Sequence, residues 1–238
     1  MSSYQNALIT GASRGLGRAL ARQLSRSGVP VVLVARGEDA LQQVVDELRA
    51  AGAEAHGLVG DVGQPADAAR IIGAATQLVG PLDLVVHNAS TLGPTPLPPL
   101  LDLSDAEFRH VLEVNLLGPF RLTRLVAGGM ALRGRGTLVH ISSDAAVESY
   151  PGWGPYGASK AALDHLSRTW AAELGDRGVT AVAVDPGEMD TAMHAAAIPD
   201  ADPTSLSRPA DVAATLLHAL PHLDTGARVR VADLRRAA

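Results

Sequence analysis

Short apolar runs alternate along almost the whole chain with longer stretches of helical periodicity, and the apolar runs lack the polar alternation of a half-exposed strand. Seven of them read as strands: Ala7 to Thr10, Val31 to Ala35, Ala55 to Gly60, Leu82 to Asn88, Gly136 to Ser142, Val179 to Asp185 and Arg228 to Ala232. Runs of β-branched residues and leucine that are apolar on both faces belong to parallel sheets covered by helices on either side. The stretches between them, roughly 12 to 25 residues each, are long enough for the crossover helices that parallel strands require. Gly28, Gly52 and Gly80 stand where left-handed C-caps would end helices, and Ser104-Asp105-Ala106-Glu107 has the form of a capping box that opens a helix toward Leu132. Two stretches read as irregular, Leu92 to Leu101 and Ala195 to Ser207, the second broken by Pro199 and Pro203. The pattern predicts an α/β protein, a Rossmann-type doubly wound sheet of about seven parallel strands with helices on both faces, in one domain spanning 1–238.

Where the first strand runs into the first helix, the chain reads Thr10-Gly11-Ala12-Ser13-Arg14-Gly15-Leu16-Gly17. Glycines at such a turn let the backbone bend tightly and approach a pyrophosphate, whose charge meets the amides of the helix N-terminus. The spacing Gly-x-x-x-Gly-x-Gly departs from the commoner dinucleotide fingerprint, so the flanking strand and helix carry the inference, with a purely structural tight turn as the alternative. The second strand ends at Ala35-Arg36 without the carboxylate that would bind a ribose 2′-hydroxyl. Arg36 and Arg14 can instead meet a 2′-phosphate, which favours NADP(H) over NAD(H); the alternative is two solvated arginines.

Lys160 is the only lysine among 238 residues, and it follows Tyr156 by four positions in the run Tyr156-Gly157-Ala158-Ser159-Lys160. On a helix that spacing puts a phenol and an ammonium on one face. A free tyrosine ionises near pH ~10, so a proton donor working at neutrality needs its ionisation eased by about 4 kcal/mol. One cation about 4 Å away, at an effective dielectric of ~20, supplies about that much. The alternative is a chance pair on a solvated helix.

Composition narrows the choice of partner. The net charge of −5 arises from 25 acidic and 20 basic residues mixed along the chain, with no basic stripe for nucleic acid and no polybasic or amphipathic membrane segment. There is no cysteine, hence no disulfide, thiol nucleophile or cysteine-ligated zinc. No leader or membrane-length apolar run is apparent, and a cytoplasmic location is expected. Nineteen arginines against one lysine read as compositional bias. His87, at the end of an apolar strand, reads as a buried structural histidine, and no metal site is expected. His194 reads as a polar loop residue, contact with substrate being the alternative. Asp144, Glu148, Tyr150 and Trp153 either border the substrate or hold a loop. Pro94 to Pro99 reads as a stiff loop, a proline-recognition ligand being the alternative.

With the glycine turn, Asn115, Ser143, Tyr156 and Lys160 in order, the chain resembles the short-chain dehydrogenase/reductase family over nearly its whole length. Ser143 precedes Tyr156 by thirteen residues and Asn115 precedes Ser143 by twenty-eight, as in that family's catalytic arrangement. The resemblance implies that Tyr156 is the general acid/base and that Lys160 lowers its pKa and binds the nicotinamide ribose. It implies that Ser143 holds the carbonyl oxygen, and that Asn115 kinks its helix and positions a water. Asp61-Val62 resembles the pair that contacts adenine. Asn88-Ala89 resembles the Asn-Asn-Ala-Gly motif, with His87 and Ser90 replacing its outer members. Pro186-Gly187 and Thr191 resemble the segment that holds the nicotinamide carboxamide. The expected protein is an NADP(H)-dependent oxidoreductase interconverting a small carbonyl and its alcohol. The resemblance implies a homo-oligomer, a tetramer by the family's habit, with Phe120, Leu163, Leu166 and Trp170 offered outward. The substrate loop is expected at about 192–207. A non-catalytic sensor or scaffold of the same fold, or an NAD-linked dehydrogenase, are the alternatives.

Overall fold

The computed structural model describes residues 4–234. Seven parallel strands form one sheet: β1 (Ala7–Thr10), β2 (Val31–Ala35), β3 (Ala55–Val59), β4 (Leu84–His87), β5 (Gly136–Ile141), β6 (Val179–Asp185) and β7 (Arg228–Arg230). Their order is β3-β2-β1-β4-β5-β6-β7, so the winding direction reverses between β1 and β4. Ligands of open α/β sheets bind at such a switch point, beyond the carboxyl ends of the strands.

The double burial read from the sequence is literal. Along β1, Ala7 and Ile9 join one core while Leu8 joins the other, and in β2 Leu33 and Val34 divide in the same way. The first core packs the sheet against α1 (Gly15–Arg26), α2 (Glu38–Ala50) and α8 (Pro209–Ala219). The second packs it against α3 (Pro65–Val79), α5 (Gly118–Arg133) and α6 (Gly154–Leu174). Completely buried side chains such as Leu20, Leu33 and Leu138 each contribute about 1.5–3 kcal/mol to this sandwich. Proline stands in the first turn of α3, α6 and α8, where its missing amide costs no hydrogen bond.

Some expectations are corrected. The capping box is present, with Ser104 accepting from the Glu107 amide and the Glu107 carboxylate accepting from the Ser104 amide. The helix it opens is not continuous: α4 (Asp105–Leu112) passes through a π-helical segment, Glu113–Leu117, before α5 begins. The fourth strand is shorter at both ends than Leu82 to Asn88, and the chain past Arg230 turns into α9 (Val231–Leu234) instead of extending β7 to Ala232. Gly80 has a positive φ of 80° but an extended ψ of −172°, so α3 ends without a left-handed helical cap. Ala195 to Ser207 is only partly irregular. Thr191 caps α7 (Ala192–Ala197) by accepting from the His194 amide, and a parallel bridge from Met189 to Ser207 closes the base of the excursion. Leu163 is 1% exposed and belongs to the interior, so it is not available for an outward stripe. Trp170 and Phe120 stack on each other, with ring centroids 6.2 Å apart.

Candidate active site

The turn after β1 is built for close approach. Gly11 has φ 66°, and a Cβ there would stand 2.8 Å from the Ala89 Cα, so no other residue fits without displacing the neighbouring strand end. Thr10, which the sequence reading passed over, fastens this turn. Its hydroxyl donates to the Val86 carbonyl and accepts from the amides of Asn88 and Ala89. The Asn88 side-chain amide donates to the carbonyls of Thr10 and Gly11 at 2.9 and 3.0 Å. Asn88 thus braces the glycine turn. Behind the turn, α1 starts with neither a side-chain cap nor an acidic residue in its first turn, which leaves its N-terminal amides for an anion.

A single cleft of about 880 Å³ runs from this turn across the switch point. Gly11, Ser13, Arg14, Gly15 and Leu16 line its start, followed by Arg36, Asp61, Val62, and Asn88 to Ser90. Ser143, Tyr156, Lys160, Pro186, Gly187 and Thr191 line its other end. Of the residues singled out in the sequence, Gly17 and Asn115 stand behind the wall. Gly17 packs against the Gly11 carbonyl and Asn88. Arg14 and Arg36 are exposed, and among the described residues neither guanidinium has a hydrogen-bond or ion-pair partner. Asp61 accepts from the Gly63 amide at 2.9 Å, which fixes the turn after β3.

Asn115 lies in the π-helical segment and is 1% exposed. Its Oδ1 accepts from the Thr91 amide and the Ser90 hydroxyl, and its Nδ2 donates to the Thr91 carbonyl and the Ser159 hydroxyl. Protein partners thus take up the whole capacity of the amide, and any water it positions must meet the backbone of the segment. Ser90, where glycine is usual in the motif, keeps a negative φ and turns its hydroxyl toward Asn115.

The Ser143 hydroxyl caps the short turn Asp144–Ala146 by accepting from the Ala145 amide, and donates to Asp144 Oδ1 at 2.8 Å. Tyr150 donates to the other Asp144 oxygen at 3.0 Å. Burial acts to raise the Asp144 carboxyl, but the hydrogen bonds from Ser143, Tyr150 and Ala145 outweigh it and hold the group below the ordinary aspartate value. Trp153 bridges two tyrosines edge to face, 6.3 Å from Tyr150 and 5.5 Å from Tyr156. Met193 and Ala197 of α7 pack onto the same small cluster as Tyr156 and Leu92.

Tyr156 and Lys160 share a pocket as the four-residue spacing required, but the electrostatic expectation is corrected. Burial pushes the Tyr156 phenol up to about 12, with only partial relief from the Ser143 and Ser90 hydroxyls. Burial likewise pulls the Lys160 ammonium down to about 8. The dry pocket penalises the charged form of both groups. Lys160 Nζ donates to the Ile141 carbonyl at 2.7 Å and lies 5.4 Å from the centre of the Tyr156 ring. At neutral pH the protein alone therefore holds a protonated phenol beside an ammonium.

His87 and His140 are also buried, their rings stacked 4.9 Å apart across β4 and β5. His87 Nε2 meets the Thr123 hydroxyl, and burial keeps both rings neutral, as expected of structural histidines. Among the described residues no group of side chains could hold a metal ion, and no helix is long and apolar enough to cross a membrane.

A sequence profile of the family described as short chain dehydrogenase matches residues 5–202. The chain belongs to that family. Like other short-chain dehydrogenases it is an oxidoreductase that uses a nicotinamide cofactor. It is 38% identical over 191 residues to a Streptomyces coelicolor protein provisionally named a ketoacyl reductase, covering 79% of this chain and 72% of that one. An actinorhodin polyketide ketoreductase variant crystallised with NADPH superposes with a TM-score of 0.88 at 30% identity, covering 97% of each chain. A 7α-hydroxysteroid dehydrogenase with NADH and 7-oxo glycochenodeoxycholic acid gives 0.86 at 28% identity, covering 95% of this chain and 92% of that one.

Proposed function

We propose that this short-chain dehydrogenase is an NADP(H)-dependent reductase or dehydrogenase that interconverts a small carbonyl compound and its alcohol, with Tyr156 as general acid/base. The observation that carries the reading is the single cleft joining an uncapped helix N-terminus at one end to the buried Tyr156, Lys160 and Ser143 at the other.

The donor set fits a dinucleotide phosphate. The amides of the turn from Gly11 to Gly17, with Ser13 and Leu16, would hold the pyrophosphate. Arg14 and Arg36, whose guanidinium groups have no protein partners among the described residues, would meet a 2′-phosphate. Asp61 and Val62 would border the adenine; Asn88, Ala89, Ser90, Tyr156 and Lys160 the nicotinamide ribose; and Pro186, Gly187 and Thr191 the carboxamide. When bound, the nicotinamide donates or accepts the hydride.

The chain's own residues handle the proton. With its phenol pushed up to about 12, Tyr156 is protonated at neutral pH and ready to donate to a developing alkoxide. The Ser143 hydroxyl, now directed at Asp144, can turn to the same oxygen while Asp144 retains the Tyr150 hydroxyl and the Ala145 amide. The Lys160 cation favours the negative charge that the phenol acquires on donating its proton. Asn115 holds Ser90 and Thr91 in place and ties them through Ser159 to the helix that carries Tyr156. Trp153, Tyr150, Met193 and Ala197 form an apolar wall that excludes water around the reacting carbon.

The remaining parts of the reading are a single domain over 1–238 with its substrate loop at about 192–207, a cytoplasmic location and a homotetramer. Leu125 and Leu132, seven residues apart on α5 and 44% and 91% exposed, support an apolar contact face. Fluorescence titration with NADPH and NADH, followed by turnover of a carbonyl panel, tests the function. Tighter NADPH binding and hydride transfer to a ketone are expected; absence of both overturns it.

A further inference from the structure

Arg228 stands on the last strand of the sheet, yet its guanidinium reaches the three segments that carry the reaction. Its Nε donates to Asp164 Oδ2 at 2.7 Å, and one terminal nitrogen donates to the Ser143 carbonyl at 2.8 Å. The same nitrogen lies 3.6 Å from Asp185 Oδ2, at the end of β6 just before Pro186-Gly187. Asp185 in turn accepts from the Gly187 amide at 3.0 Å. Asp164 completes a ladder on α6: Tyr156, Lys160 and Asp164 follow one another at four-residue intervals on one face, each buried. Asp164 is 3% exposed, and its Oδ1 is buried with no hydrogen-bond partner. A buried carboxylate is costly unless a well-placed cation and hydrogen bonds compensate it, and the half-buried Arg228 guanidinium is that partner for Asp164.

We propose that Asp164 and Arg228 are positioning residues for the catalytic set: Arg228 fixes the Ser143 backbone and the mouth of the Pro186-Gly187 segment, and Asp164 provides the counter-charge that keeps Lys160 cationic. The assignment rests on the functional reading of Ser143, Tyr156 and Lys160 given above. Lys160 has Tyr156 and Asp164 on its own helix, acts on His140 of β5 and shares the cleft with Asp144 and with Asp185 of β6, while Arg228 of β7 bonds Asp164 and lies near Asp185. His140 is held neutral by burial, and the Asp164 charge opposes the desolvation of the lysine. Removing the Asp164 charge therefore favours loss of the Lys160 proton, and removing Arg228 favours its retention.

The chain offers a direct readout, because Lys160 is its only lysine. Lysine labelled with ¹³C at Cε gives a single side-chain resonance whose titration reports Lys160 alone, whether or not a substrate is known. In Asp164→Asn the midpoint should move at least half a pH unit lower than in the wild type; in Arg228→Met it should move higher, and in Arg228→Lys, which preserves the charge, it should stay. For reduction of a carbonyl substrate, Arg228→Met should lower kcat at least tenfold while cofactor affinity changes less than threefold. Arg228→Lys should recover part of that loss, since one ammonium can meet Asp164 but cannot also span to the Ser143 carbonyl. Should Asp164→Asn not fold, the Arg228→Met titration decides the charge claim. An unmoved Lys160 midpoint in the charge-removing variants, or a kcat unchanged in Arg228→Met, overturns the proposal. If the wild type reduces no carbonyl with either cofactor, the functional reading fails separately, and the resonance still decides whether Asp164 and Arg228 set the Lys160 charge.

Discussion

Replacing Lys160 by methionine should change stability in a pH-dependent way, because the native fold buries a cation. Lys160 is 2% exposed, and burial brings its ammonium from the ordinary 10.5 to about 8. Below pH 8 folded and unfolded chains both hold the proton, and the fold carries the full cost of the buried charge. Between about 8 and 10.5 the unfolded chain keeps the proton while the folded one releases it, so the stability of the wild type rises with pH. At ~1.4 kcal/mol per pKa unit, the cost is about 3 kcal/mol at pH 7 and about 1 kcal/mol at pH 10. Methionine removes it at every pH. The same change strips the Ile141 carbonyl of its donor, a pH-independent loss of about 1–3 kcal/mol. These opposing contributions nearly balance at pH 7, so the informative quantity is the slope. The stability of Lys160→Met relative to wild type should fall by about 2 kcal/mol from pH 7 to pH 10, measured by urea denaturation followed by circular dichroism. A relative stability that is flat or rises across that range would refute the claim that the fold holds a strained ammonium.

Tyr156→Phe should leave cofactor binding nearly intact and lower turnover at least about a hundredfold, since only the proton donor is lost; comparable steady-state rates would remove the central claim. Arg36→Asp should shift preference from NADPH toward NADH at least about tenfold, because the new charge repels a 2′-phosphate and accepts from a free hydroxyl. Equal dissociation constants for the two cofactors in the wild type would contradict that. Hydrogen exchange from about 192 to 207 should slow when NADP+ and a product analogue bind together, with the bridged base at Met189 and Ser207 protected throughout. Full protection without ligand would rule out closure of this segment. Light scattering at micromolar concentration should give about four times the 24.5 kDa chain mass, and Leu132→Asp should lower it; a monomeric wild type would refute the tetramer.

The five inner strands were legible because each is buried on both faces, so hydrophobic pattern marks them, whereas the edge strands β3 and β7 are partly exposed. What escaped the sequence depends on contacts between distant segments. The resemblance implies a kink at Asn115, but its form, a π-helical break at Glu113–Leu117 that lets Asn115 bond Ser90, Thr91 and Ser159, depends on partners that no local pattern announces. The helix Ala192–Ala197 did carry a local signal, an alanine-rich run behind the capping Thr191. The prolines downstream outweighed it in the reading, although they act only on the chain after the helix has ended.

At the site, spacing indicated which groups meet but not how far water is excluded. Four residues on a helix bring Tyr156 and Lys160 together, and at a dielectric of ~20 that should ease the phenol's ionisation. The fold instead surrounds both with Trp153, Leu92 and the end of β5, so desolvation dominates and the phenol's pKa moves upward. The next step of the same ladder, Asp164, was equally accessible by counting, but an aspartate there reads as a solvated helix face until its partner is known. That partner is 64 residues away and is delivered by the pairing of β7 with β6, which sets Arg228 beside Ala183. The Tyr156 and Lys160 pair can be recognised from the spacing on its helix. The charge of Lys160 is set by burial, which opposes it, and by Asp164 on the same helix, which favours it and which Arg228 of β7 holds by a hydrogen bond.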